Sequence, residues 1–78
     1  MIAPNQPINL SVLPPVSSQE QFAQWLGITQ DTVRGWVENN TVPNIKIGRQ
    51  RFINITRLVE QLREGKTIFS RGDYSDAD

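Results

Sequence analysis

Cationic side chains are concentrated in the middle of this 78-residue chain, where they can bind anions such as phosphate. In residues 34–57 the cations are Arg34, Lys46, Arg49, Arg51 and Arg57, and the acid among them is Glu38. The formal net charge of zero hides this concentration because Asp73, Asp76 and Asp78 crowd the end of the chain. A positive middle is therefore followed by an acidic tail.

Two residue types that are common in active sites, cysteine and histidine, are missing from the sequence. The chain has no cysteine and no histidine, which excludes disulfides, thiolate or imidazole metal ligands and the commonest nucleophile and base pairs. It also has no glycine-rich phosphate loop and no convergent pair of acids. We expect no enzyme activity, no metal and no cofactor, and we expect a cytoplasmic protein without a membrane span.

Capping residues and apolar spacing predict two helices that are joined by a tight turn. Ser17 or Ser18 caps the first helix and Gly27 ends it, while Thr29 caps the second. The stripes expected to be buried are Phe22, Trp25 and Leu26 in the first helix and Val33, Trp36 and Val37 in the second. This arrangement predicts a helix-turn-helix.

The outward face of the second helix carries candidate contacts to nucleic acid. These candidates are Gln30, Asp31, Thr32, Arg34 and Gly35. Thr32 can contact a phosphate or a base, and Asp31 can accept a hydrogen bond from a cytosine amino group. Arg34 can bind phosphate or guanine. Gly35 lacks a side chain and either permits close approach of the backbone or is a neutral choice. The alternative for the whole face is simple solvation.

A basic hairpin follows the second helix. Ile45 and Ile47 alternate with Lys46, residues 48–50 make the turn, and residues 51–53 return, so the apolar side is expected to close the core. Lys46, Arg49, Gln50 and Arg51 can straddle a phosphate backbone or enter a minor groove. A merely solvated turn is the alternative.

The domain is expected to end with a third helix. Asn54 caps that helix, Gly65 ends it, and its inward residues are Ile55, Leu58, Val59 and Leu62. The predicted fold is α+β, mostly α: a small winged helix-turn-helix over residues 17–66. Residues 1–16 form a proline-rich arm, extended or flexible, whose Ile8, Leu10, Val12 and Leu13 can also dock, and residues 67–78 form an acidic tail.

Residues 20–52 also resemble a known family. Thr32-Val33-Arg34-Gly35-Trp36-Val37, Val42-Pro43 and Gly48-Arg49-Gln50-Arg51-Phe52 resemble the MerR-like winged helix-turn-helix superfamily, and most of all the phage excisionases of the Cox type. The resemblance covers residues 17–64 and departs from the family at Gly35, where a long basic side chain is usual.

The resemblance implies a sequence-specific double-stranded DNA-binding protein in the bacterial host cytoplasm. Such a protein acts as a transcriptional repressor and as an excisionase, a recombination directionality factor that bends or wraps DNA. Its implied partners are DNA, further copies of itself in a head-to-tail oligomer, and a phage integrase. Two alternatives remain open, namely a protein-interaction module such as an antirepressor and a DNA-packaging adaptor such as a terminase small subunit.

Overall fold

Three helices and three strands make up the part of the chain that the computed structural model describes, residues 13–75. In chain order they are β1 (Val16–Ser17), α1 (Gln19–Leu26), α2 (Gln30–Glu38), β2 (Asn44–Ile47), β3 (Gln50–Asn54) and α3 (Ile55–Arg63). The predicted α+β, mostly α class is confirmed. None of the helices in residues 13–75 combines the length and the apolar character that crossing a membrane requires.

The helix ends follow the capping signals of the sequence. The Ser18 hydroxyl accepts from the Gln21 amide at the start of α1, and Thr29 accepts from the Thr32 amide at the start of α2. Asn54 caps α3 in the same way. Gly27 ends α1 in the left-handed conformation with φ of 71°, which glycine adopts without steric cost.

An antiparallel sheet in the order β1-β3-β2 joins the wing to the start of the domain. The predicted hairpin is confirmed, and its two-residue turn has Gly48 at φ of 65° followed by Arg49. Because Gly48 has a positive φ and Arg49 does not, the turn has the pattern of a type II′ hairpin. Gln50, which was expected in the turn, begins β3 instead.

The core lies between the sheet and the helices. Its buried residues are Phe22, Ala23, Val33, Val37, Val42, Ile53 and Ile55, and Leu13, Trp25, Ile28, Trp36, Leu58 and Val59 pack against them. The predicted stripes were wrong at Leu26 and Leu62, each of which is 51% exposed. In α1 the buried face is centred on Phe22 and Ala23, which turns Leu26 toward solvent.

The hairpin closes the core with a different residue from the one expected. Ile53 is fully buried and lies opposite Asn44, so these two residues share a face of the sheet. Ile45 and Ile47 are on the other face by strand alternation, and Ile47 is 50% exposed. The prediction that the Ile45 and Ile47 side closes the core was therefore wrong.

Both ends of the described chain belong to the domain. Leu13 packs on the core and β1 pairs with β3, so the domain begins before residue 17. At the other end Tyr74 is buried, and the amides of Gly72 and Tyr74 donate to the carbonyls of Asn39 and Asn40. Residues 67–75 thus extend the domain beyond the predicted boundary at residue 66. Residues 1–12 and 76–78, which include Ile8, Leu10 and Val12, lie outside the described part.

Candidate nucleic-acid interface

A cleft of about 650 Å³ separates the helix-turn-helix from the wing. Its walls are formed by the start of α1, one side of α2 and the turn with the first part of β3. The lining residues are Ser18, Gln19, Glu20, Gln30, Arg34, Val37, Glu38, Asn40, Arg49, Gln50, Arg51 and Phe52. The fold therefore brings the predicted residues Gln30, Arg34, Arg49, Gln50 and Arg51 together around one concave surface.

The outward face of α2 carries an ion pair. Arg34 donates to the carboxylate of Asp31, one helical turn earlier, and their side chains are 62% and 77% exposed. An exposed pair of this kind contributes about 0.2–1 kcal/mol, because water and salt screen it. Arg34 can therefore exchange Asp31 for a phosphate at little cost.

Thr32 and Gly35 also lie on the outward side of α2, outside the lining of the cleft. The Thr32 hydroxyl lies 2.8 Å from the Thr29 hydroxyl, so it is part of the helix cap as well as exposed. A Cβ built on Gly35 would meet no atom within 4 Å. The packing within residues 13–75 thus gives no reason for a glycine at this position.

The wing presents its cations at different distances from its base. Arg49 is exposed in the turn, and Lys46 is exposed on β2 directly opposite Arg51. Lys46 does not line the cleft, whereas Arg49 and Arg51 do. The wing therefore offers one cation at its tip and two on a shared face of the sheet.

Arg51 is held in place by neighbours that sequence reasoning missed. Its Nη1 donates to Oδ1 of Asn44 over 2.9 Å, and Nδ2 of the buried Asn44 donates to the Val42 carbonyl over 2.8 Å. Nε2 of Gln19 donates to the Arg51 carbonyl over 3.1 Å. A polar Asn at the first position of a half-buried strand could have indicated a buried role for Asn44. No local signal indicated Gln19, which the β1–β3 pairing brings beside Arg51.

Two acids also line the cleft. Glu20 lies in the first turn of α1 and Glu38 is the last residue of α2. Both side chains oppose an anion that enters beside Arg34, Arg49 and Arg51. The cleft is therefore a mixed-charge surface with more cations than acids rather than a uniformly basic one.

The fifth cation of the basic middle, Arg57, is used in packing. Its guanidinium lies 4.8 Å from the centre of the Tyr74 ring, a cation–π distance. Burial raises the pKa of Tyr74. Nearby, the Ser70 amide and Lys66 lower the pKa of Asp73, whose carboxylate accepts from both. This C-terminal cluster shares no residue with the cleft.

Comparison with known proteins places the chain beside a bacteriophage protein. No protein-family model matches the chain, and no solved structure matches it. The 10.1 kDa protein of Pseudomonas phage Pf1 is 54% identical over 63 residues, and the alignment covers 77% of this chain and 70% of that protein. The chain therefore belongs to the same family as the 10.1 kDa protein of phage Pf1.

Proposed function

We propose that this protein binds double-stranded DNA in a sequence-specific manner, and that it acts as a transcriptional repressor and excisionase. The observation that carries the proposal is the cleft between α2 and the wing, which has Arg34 on one wall and Arg49 and Arg51 on the other. Membership in a phage protein family and the resemblance to Cox-type excisionases support the regulatory role.

The proposed complex uses the two walls of the cleft differently. Helix α2 enters the major groove with Asp31, Thr32 and Gly35 toward the base edges, since Asp31 and Thr32 are exposed and a Cβ on Gly35 would face open space. The wing reaches along the duplex, and one phosphate strand lies in the cleft between them. In this position Arg34 and Arg49 contact phosphates from opposite sides.

The N-terminus of α2 adds to the attraction for phosphate. Its amide groups and helix dipole favour an anion at that end, beside Gln30. The acids Glu20 and Glu38 oppose this attraction, so affinity for arbitrary duplexes is modest and base contacts contribute a larger share of specific binding. Cooperative binding of several copies to repeated sites, with integrase as a further partner, completes the proposed role.

A salt series tests the proposal directly. The protein is titrated onto a duplex from the integrase and repressor region of a phage genome that encodes it, with a random duplex as competitor. With about four phosphate contacts, the logarithm of the affinity should fall against the logarithm of salt with a slope of roughly −4. No shift at low salt would contradict the proposal and would favour a protein-interaction module such as an antirepressor.

A further inference from the structure

A second groove is formed by residues that do not line the candidate interface. It has a volume of about 310 Å³ and shares no lining residue with the cleft. Its lining residues are Phe22, Leu26, Trp36, Thr41, Val42, Leu58 and Phe69. None of them is charged, and Thr41 is the polar member of the set, so the groove suits an uncharged apolar occupant.

The apolar rim of this groove is open to solvent. Leu26 is 51% exposed although it follows Trp25 at the end of a helix that packs on the core. Apolar surface that remains exposed in a concave site is typical of a binding site for a peptide or a ligand. An occupant that covers Leu26 and Trp36 would remove this surface from water.

The N-terminal residues of the chain have the matching composition. Residues 1–19 contain no Asp, Glu, Lys or Arg, and residues 8–12 read Ile-Asn-Leu-Ser-Val. In an extended segment Ile8, Leu10 and Val12 project to one side, because side chains alternate along such a backbone. An extended conformation of this segment would therefore present an apolar edge without a charge to desolvate.

The first described residues, which follow this segment, are bonded to α3, the helix that contributes Leu58 to the groove. The carbonyl of Pro15 accepts from the amides of Ile55 and Thr56 at the start of α3, and Leu13 packs on the core. Leu58, which lines the groove, is one turn further along α3. Five extended residues span roughly 17 Å, which is about three times the length of one helical turn.

We propose that residues 8–12 of the same chain bind in this apolar groove as an extended strap, with Leu10 against Trp36 and Leu26. The connection through Leu13 holds the segment at a high effective concentration, which favours its own groove over that of a second copy. Docking shields Trp36 and joins the arm to the helix-turn-helix through residues that do not line the cleft. The inference is independent of DNA binding.

Fluorescence of Trp36 in the full-length chain tests the strap. The Trp25→Phe variant leaves Trp36 as the remaining tryptophan of the two in the sequence. Adding Ile8→Asp and Leu10→Asp should raise the acrylamide quenching constant at least twofold and shift the emission to longer wavelength. Adding Gln6→Asp and Asn9→Asp introduces the same charge without removing apolar groups, and it should change neither property.

A second measurement needs no substitution. In the wild-type protein, nuclear Overhauser effects between the Leu10 methyl groups and the Trp36 indole are expected, with intensities independent of protein concentration. Equal quenching in the two double-aspartate variants, together with missing Leu10–Trp36 effects, would overturn the strap. Effects that disappear on dilution would also overturn it, because they would assign the arm to a second copy.

Discussion

Arg51 donates from Nη1 to Oδ1 of Asn44, so the inner cation of the wing is fixed by a buried amide at the base of the same hairpin. Asn44 is 3% exposed and also donates to the Val42 carbonyl. The guanidinium is thereby positioned before any phosphate arrives, and less side-chain entropy is lost on binding. Positioning and stability are coupled at this site.

Asn44→Ala should lower the free energy of unfolding by about 1–3 kcal/mol, because a buried hydrogen-bonded amide is lost and the Val42 carbonyl loses its donor. Urea unfolding followed by far-UV circular dichroism measures the change. The exposed Gln24→Ala serves as the control and should stay within about 0.5 kcal/mol of the wild type. Equal stabilities for the two variants would contradict a structural role for Asn44.

Arg49→Ala should weaken binding to specific and random duplexes alike and reduce the magnitude of the salt slope by about 1. Arg49 is exposed at the tip of the wing, so the midpoint of thermal unfolding should not change. The matched control is Arg63→Ala, which removes an exposed arginine at the end of α3 that does not line the cleft. If both variants bind DNA like the wild type, the wing is not a DNA contact.

Asp31→Asn should raise affinity for random duplexes by about 3- to 10-fold at low salt, because a carboxylate near phosphate is removed and Arg34 loses its ion-pair partner. Discrimination between operator and random duplex should fall at the same time. Competition gel shifts measure both quantities, with Glu64→Gln at the C-cap of α3 as the charge-matched control. An unchanged ratio of operator to random affinity would remove Asp31 from the base-reading residues.

Gly35→Ala separates folding from binding. The added methyl group meets no neighbouring atom, so the helix should gain about 0.5–1 kcal/mol in stability from the better helix former. If α2 brings its backbone against DNA at this position, affinity should nevertheless fall. Thermal unfolding and DNA titration of the same preparation measure the two effects. Higher stability with undiminished affinity would show that Gly35 is a neutral surface choice.

Tyr74 should titrate above its ordinary value of about 10, because burial disfavours the phenolate. A group whose pKa is raised in the folded state stabilises the fold fully below the unfolded pKa, and this contribution is lost as pH rises through the folded pKa. Absorbance at 295 nm reports this group alone because the chain has one tyrosine. A titration midpoint of Tyr74 at or below 10 in the wild-type protein would contradict the burial of this residue.

Gln61→Ala removes the acceptor of the Tyr74 phenol. The backbone amides of the C-terminal segment should therefore be less protected from hydrogen exchange than in the wild type.

Local signals in the sequence predicted most of the element boundaries. Serine, threonine and asparagine caps and the glycine after α1 act through bonds to neighbouring amides, so they need no knowledge of the rest of the chain. Whether Leu26 is buried could not be predicted from such local signals. An apolar stripe is wide enough to include it, but the direction in which α1 packs decides which edge of the stripe is buried.

Non-local pairings could not be predicted. Strand β1 has two residues, too few for a period of two to appear, and Tyr74 stands in a polar run with no apolar repeat. The pairing of β1 and the burial of Tyr74 both depend on contacts between residues that are far apart in sequence. The same holds for the candidate site, where the wing arginines followed from spacing but Glu20 and Gln19 reached the cleft through the β1–β3 pairing.

The backbone bonds from Gly72 and Tyr74 to Asn39 and Asn40 have a consequence for synthesis on the ribosome. Helices α1 and α2 make local contacts and can form as soon as they emerge. Burial of Tyr74 must wait until residues 72–75 have left the exit tunnel, since this contact joins segments that are far apart in sequence. Packing of the domain is therefore complete only once residues 72–75 have emerged, and a ribosome stalled near residue 66 would carry a nascent chain that lacks the buried Tyr74.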